Sequence, residues 1–335
     1  MLKILIIKLS SIGDLVHSIP AYKALEKSLN AQNDIQIDWL VYENLAPVLY
    51  EPIGKEKLIT LKNRNFSTLI TKATELKNQY DHVIDLQGLF KTALMSKIIA
   101  PNSNYGFNMP RETWARYFYK KSFCDYKSIE SKKHVIEQNL ELCNYIAQEI
   151  SGKELSNEIE FLPSIEKSQS KQRRQVCLIP ATTWESKHWH IENWTYLIEN
   201  LEKDADIFMT GSPANIEYLK QISNSVTRDI KLVTDKKLEE LYGFYSEMDL
   251  VIGVDTGPLH IAAASLYHNR KDKQIIGIYG PSSGSRSGPY GFTAMSADEL
   301  FKLKASNKKT YEKDSNSINM ISYDLVLKAI DKVKV

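Results

Sequence analysis

The chain has 335 residues, of which 43% are hydrophobic and 25% charged, a balance that excludes a disordered or membrane-spanning class and gives room for two domains of about 150 residues each. Its formal net charge is +2, so no nucleic-acid partner is expected. Cys124, Cys143 and Cys177 are odd in number, far apart and without a C-x-x-C pair, which supports neither a zinc site nor a disulfide framework and fits a reducing compartment.

The chain opens on the nearly continuous apolar run Leu2 to Ile7, as expected of a strand buried on both faces of a parallel sheet. Interrupted by Lys3, this run is too short for a signal-peptide core, and no apolar stretch of about 18 residues follows anywhere, so a cytoplasmic protein is expected. Next comes K-L-S-S-I-G-D-L-V-H, Lys8 to His17. Ser18 is a plausible N-cap and Pro20 suits a first helical turn, so Ser10 to His17 reads as a loop at the carboxyl edge of the sheet. Gly13 lets that loop turn tightly, presenting Asp14 and His17. Asp14 is either a cap or turn former or a general base for a substrate hydroxyl. The spacing of a Walker phosphate loop is absent.

Ile35 to Val41 reads as a strand, Phe66 to Asn78 as a helix, His82 to Asp85 as a buried strand, and Leu89 to Ile99 as a helix. Asp85, Gln87 and Lys91 therefore lie at or just past a strand's carboxyl end, near the Asp14 loop if the strands are parallel; turn chemistry around Gly88 is the competing account. Met109 to Phe123 mixes aromatic and basic residues and reads as a partly buried amphipathic helix whose arginines are suited to bidentate contact with carboxylate or phosphate. Between Arg111 and Lys133 seven cations face three acids, a local excess open to an anionic substrate or a membrane surface. Val135 to Ile150 is helical, and the polar stretch Ser151 to Gln175 reads as a linker.

Alternation restarts at Val176 to Ile179. Strands are expected at Asp206 to Met209, Ile230 to Val233, Leu250 to Val254 and Gln274 to Ile278. Helices are expected near Ile191 to Leu201, Ile216 to Ser225, Lys237 to Ser246, Leu259 to Tyr267 and Tyr323 to Lys334, the last of which is free to pack back on the first domain. Two such domains imply a cleft between facing carboxyl edges. In Ile252 to Ala264 a strand enters a helix through Asp255, Thr256, Gly257 and Pro258. The free N–H groups of that turn suit a phosphate, with capping by Asp255 or Thr256 and simple packing of His260 as the alternative. Pro180 to Trp189 places Thr182, Thr183 and Lys187 on the same edge, where an ammonium is able to neutralise charge on a departing phosphate. His188 and His190 have no ligand-spaced acidic cluster, so no catalytic metal is expected.

Taken together, K-L-S-S-I-G-D-L-V-H, D-L-Q-G-L-F-K-T-A, R-E-T-W-A-R-Y-F-Y, A-T-T-W-E-S-K-H-W and V-D-T-G-P-L-H resemble the lipopolysaccharide heptosyltransferase family, most of all its type I members, over about 270 residues from Lys8 to Pro281. The resemblance implies an α/β chain of the GT-B class, two Rossmann-like doubly wound domains with a cleft between them. Residues 1–165 would bind acceptor and residues 176–320 nucleotide sugar, with 321–335 as a C-terminal helix. It implies an inverting transfer of heptose from ADP-heptose to the inner 3-deoxy-manno-octulosonate (Kdo) of Kdo-lipid A, without metal or other cofactor, by a cytoplasmic enzyme peripheral to the inner membrane. Asp14 would be the base and Lys187 the stabiliser of the leaving group. Thr182, Thr183, Lys187, Asp255, Thr256, Gly257 and His260 would hold the donor, with Glu217 on its ribose. Ser10, Gly13, Arg64, Gln87 and Arg111 would face the acceptor.

Pro258 after Gly257 is instead the type II form, so an already heptosylated acceptor stays open. A non-catalytic protein binding nucleotide and anionic lipid would use the same phosphate sites. A nucleotide-sugar epimerase would not need the basic region, and a dehydrogenase lacks its G-x-G-x-x-G after the first strand.

Overall fold

In a computed structural model of the chain, which describes residues 1–30, 35–125, 133–156, 158–162, 173–303 and 316–332, two compact units divide it into Met1–Pro163 and Ser164–Val335. The first holds six parallel strands: β1 (Leu2–Ile7), β2 (Ile35–Tyr42), β3 (Leu58–Leu61), β4 (His82–Asp85), β5 (Asn104–Met109) and β6 (Lys121–Asp125). Their order is β3-β2-β1-β4-β5-β6. Ile4 to Ile7 are wholly buried, which is why β1 is a continuous apolar run rather than an alternating one. The connections change direction between β1 and β4, and the register pairs Ile7 with Asp85. The two strands thus end side by side at the point where a doubly wound sheet opens its crevice.

The expected loop Ser10 to His17 is in part a short helix, Ile12–Val16, with Ser11 at its N-cap. Gly13 lies inside that helix, not in a tight turn, and the Ser18 hydroxyl donates back to the Asp14 carbonyl at 2.9 Å. Met109 to Phe123 is no amphipathic helix. It is the end of β5, a 3-10 turn at Thr113–Phe118 and the start of β6. Two anchors impose this: the Tyr119 hydroxyl donates to Asp85 at 2.7 Å, and the Lys120 N–H donates to Asn104. Both pull the chain back to the sheet before a helix can propagate. The basic region's Lys127 and Lys132 lie outside the described residues.

In the second unit β7 (Gln175–Ile179), β8 (Asp206–Thr210), β9 (Ile230–Val233), β10 (Leu250–Val254), β11 (Gln274–Tyr279) and β12 (Thr293–Ser296) are again parallel, in the order β12-β11-β10-β7-β8-β9. This is the order of the first unit repeated, with the change of direction between β7 and β10. Its core includes Trp189 and Trp194, packed edge to face at 5.0 Å. Val326 and Ile330 of the helix Tyr323–Lys332 belong to the second unit's core, and the Ile330 carbonyl accepts from Gln274 at 3.1 Å. The expected linker Ser151 to Gln175 contains the unit boundary, but Leu155, Phe161 and Leu162 before it are buried; residues 157 and 163–172 lie outside the described residues.

Tyr119 covers Gly106 in β5 so closely that a Cβ on Gly106 would overlap its ring. Gly106→Ala is therefore expected to cost about 1–3 kcal/mol of stability, the usual range for overpacking. Denaturant unfolding of the two proteins measures it, and equal midpoints would show that the ring yields freely.

Candidate functional site

At the first unit's carboxyl edge the strand exits are tied by buried polar side chains. The Asp85 carboxylate, fully buried, accepts from the N–H groups of Gln87 (2.8 Å) and Gly88 (3.2 Å), the Thr92 hydroxyl (2.8 Å) and the Tyr119 hydroxyl (2.7 Å). Burial pushes its pKa up against those four bonds, which pull it down. Gln87 then reaches across to β1, and its Oε1 accepts from Leu9 N (3.0 Å) and Ser10 N (3.2 Å). Its carbonyl thus holds the neighbouring loop in place. Lys8, 1% exposed, donates to the Leu86 carbonyl at 2.7 Å. These ties position the start of the short helix that carries Asp14.

Asp14 occupies the third position of that helix, where its carboxylate closes a capping box with Ser11 at the N-cap, so the expected capping role forms. Its Oδ2 accepts from both Ser11 N and Ser11 Oγ at 3.0 Å, and neither of these bonds reaches Oδ1. Burial raises its pKa. The charge of Lys8, the Ser11 N–H, the charge of Arg111 and the Ser11 hydroxyl outweigh that and leave it below the usual carboxylate value. One oxygen is oriented while the other is not engaged by these bonds, and the group is ionised at neutral pH, as a general base requires. Arg111 sits on a loop whose backbone packs against Gly88, at φ +67°, where a Cβ would lie 3.1 Å from Arg111 N. The Arg64 guanidinium, exposed beyond β3, lies 5.3 Å from the ring centroid of Tyr42, to whose hydroxyl Lys91 donates at 3.2 Å. Asp14, Arg64, Lys91 and Arg111 thus follow β1, β3, β4 and β5 at one sheet edge. His17 turns inward instead: it is buried, edge-on to His134 at 5.3 Å.

The second unit assembles its group at the equivalent place. Lys187, 8% exposed, is ion-paired with Asp255 at the end of β10. The Ser282 hydroxyl, beyond β11, donates to the same carboxylate at 2.5 Å, and His260 Nε2 lies 3.7 Å from its other oxygen. Burial opposes the charge, but the adjacent His260 and the positive charge of Lys187 prevail and hold Asp255 far below the usual range. Thr182 joins the group by donating to the Asp255 carbonyl at 3.3 Å.

The helix Gly257–Leu266 starts directly after, with Pro258 in its first turn and no cap bond from the Thr256 side chain. The expected alternative, in which Thr256 or Asp255 caps this helix, is not what forms, since the Asp255 carboxylate faces Lys187, Ser282 and His260. The first-turn N–H groups at Gly257 and the dipole favour an anion. Thr183 is exposed in the same loop as Thr182. Glu217 stands apart past β8, with a carboxylate 78% exposed and paired to Lys220 at 3.1 Å.

Sequence reasoning did not single out Lys8, Tyr119 or Ser282. Lys8 carries a signal, a cation at the end of an apolar strand; the other two do not reveal their partners in sequence.

The family model described as glycosyltransferase family 9 (heptosyltransferase) matches residues 71–317. Lipopolysaccharide heptosyltransferase 1 of Escherichia coli O18:K1:H7 (strain RS218 / NMEC) is 28% identical over 96% of this chain and 100% of its own length. Among solved structures, E. coli heptosyltransferase WaaC with ADP superposes with a TM-score of 0.75 at 23% identity, over 99% of this chain and 100% of its own. E. coli ADP-heptose lps heptosyltransferase II gives 0.74 at 18%, over 99% and 98%. These likenesses bear out the GT-B two-domain fold.

The buried ion pair makes a stability prediction. Lys187→Ala leaves Asp255 without its ammonium and is expected to destabilise the protein by about 3 kcal/mol at pH 7. Adding Asp255→Ala is expected to recover about 1–3 kcal/mol of that. Asp255 has a depressed folded pKa, so its contribution is present above the unfolded carboxylate value of about 3.9 and lost as pH falls through the folded one. The penalty of Lys187→Ala shrinks accordingly from pH 7 toward acid. Urea unfolding across pH tests this; a penalty independent of both pH and Asp255 would contradict it.

Proposed function

The chain belongs to glycosyltransferase family 9, the heptosyltransferase family, and from that premise we propose that it transfers heptose from ADP-heptose to the inner Kdo of Kdo-lipid A, in lipopolysaccharide core synthesis at the cytoplasmic face of the inner membrane. The observation that carries the reading is Asp14: a carboxylate held ionised by Lys8 and Arg111 and oriented through Oδ2. It takes the acceptor hydroxyl proton as that oxygen attacks the anomeric carbon of the heptose. The bond to ADP breaks on the opposite face, so the configuration inverts through an oxocarbenium-like state. Charge accumulating on the departing diphosphate is met by Lys187 and by the N–H groups at Thr256–Gly257, while Thr182 and Thr183 add hydroxyls and His260 steadies Asp255. Glu217, beyond β8, accepts from ribose hydroxyls by leaving its pairing with Lys220. Arg64 and Arg111 receive the anionic acceptor beside the Ser10 loop, which Gln87 braces from within. The type 1 names of similar full-length proteins support this acceptor. The Pro258 form favours a second reading, transfer to an already heptosylated core.

A mass-spectrometric assay with ADP-heptose, offering Kdo-lipid A beside a heptosylated acceptor, tests both readings: product on neither refutes the transferase, and product on the second alone moves it to the type II reaction. Asp14→Asn keeps an oxygen for the Ser11 N–H but cannot take the proton. Turnover is expected to fall about a hundredfold or more with ADP affinity and melting temperature little changed. Near wild-type turnover would exclude Asp14 as base. Arg111→Ala is expected to raise the acceptor KM about tenfold or more and leave the donor KM nearly unchanged; equal rises would assign Arg111 a structural role.

A further inference from the structure

Met109 to Lys120 leaves an apolar surface that neither the fold nor the transfer chemistry uses. Trp114 and Tyr117 are 73% and 64% exposed, with rings 5.8 Å apart, and Trp114 is the most exposed large apolar side chain among the described residues. Phe90 and Met109 are 40% and 48% exposed. Phe90 belongs to the same patch: its N–H donates to Glu112 Oε2 at 2.7 Å and its ring meets Phe118 edge to face at 5.1 Å. Arg116 lies 4.8 Å from the Tyr117 ring centroid and donates to the Tyr117 hydroxyl at 3.0 Å. The segment carries three cations, Arg111, Arg116 and Lys120, against one acid, Glu112, whose carboxylate is turned to Phe90.

A 3-10 turn with an anchored Tyr119 holds these rings outward, so their exposure is imposed by the fold. Aromatic residues with a polar tip, set among cations, match the interfacial layer of an anionic bilayer, where the rings enter the headgroup region and the cations meet lipid phosphates. We propose that Trp114, Tyr117, Phe90 and Met109 form a surface that docks the protein on an anionic lipid bilayer, beside the edge that carries Arg111 and Asp14. The inference takes its purpose from the reading of a lipid-linked acceptor, but its test needs no substrate.

The full-length protein is floated with vesicles of phosphatidylethanolamine and phosphatidylglycerol, and with phosphatidylcholine alone. Wild type is expected to bind the anionic vesicles preferentially, and Trp114→Ala/Tyr117→Ala to lower that partition about tenfold or more. Trp114→Phe retains apolar area and is expected to bind within about threefold of wild type, while brominated lipid quenches wild-type fluorescence more strongly than that of Trp114→Phe. Transfer to a deacylated, water-soluble acceptor is expected to be equal for wild type and the double variant. Absence of wild-type binding to anionic vesicles, undiminished binding by the double variant, or equal quenching in wild type and Trp114→Phe overturns the docking surface. Loss of soluble-acceptor transfer in the double variant also overturns it, by placing the patch in the reaction site. Failure of wild type to transfer to any acceptor would refute the transferase and leave the vesicle result standing by itself.

Discussion

Each unit places a largely buried aspartate at the carboxyl end of its fourth strand, Asp85 as the last residue of β4 and Asp255 directly after β10, and the rest of each edge is arranged to make that tolerable. A carboxylate removed from water costs several kcal/mol unless hydrogen bonds or an opposite charge replace the lost hydration. The two units solve this differently. Asp85 receives two N–H groups and two hydroxyls, all neutral donors, and its pKa stays raised. Asp255 receives an ammonium and a hydroxyl, with an imidazole 3.7 Å away, and its pKa is depressed. The same topological position therefore serves as a structural brace in one unit and as part of a charged cluster in the other.

The brace has reach. Asp85 orients the Gln87 backbone, Gln87 orients the start of the Asp14 helix, and Tyr119 ties the Arg111 segment to the same carboxylate. The carboxylate proposed as base and the arginine proposed for the acceptor are thus set by one buried group. Bonds around a buried polar group cannot be traded for water, so a hub of this kind holds geometry more firmly than exposed loop contacts do.

Much of this was legible in the chain. His82 to Asp85 and Leu250 to Val254 are strands with the expected ends, and most long helices fall within two or three residues of their expected bounds, because buried parallel strands and amphipathic helices leave strong periodicities. The strands that sequence reasoning did not find share a reason. Leu58–Leu61 and Thr293–Ser296 are four-residue edge strands, Lys121–Asp125 is a polar edge strand, and Asn104–Met109 contains Gly106 where Tyr119 must fit. Their signal lies in a partner distant in sequence. The site divides the same way. Asp14, Lys187 and Asp255 announce themselves as charged residues just past apolar strands, whereas the inward use of Gln87 and the capture of Asp255 by Ser282 depend on side-chain directions that no spacing specifies.

The pairing of Lys187 bears on how the proposed reaction gains its rate. A lysine with no counter-charge would bind the ground-state diphosphate strongly, and uniform binding of that kind does not accelerate transfer. Here the ammonium is already partnered by a carboxylate that Ser282 and His260 help to hold ionised. An arriving diphosphate must share that ammonium with Asp255, which moderates ground-state attraction. As the glycosidic bond breaks and charge collects on the leaving oxygen, the balance shifts toward the phosphate and the interaction strengthens. The Ser282 hydroxyl also donates to Asp255, so the carboxylate has a partner besides Lys187. A cluster built this way favours the charge that develops in the transition state over the charge already present in the substrate.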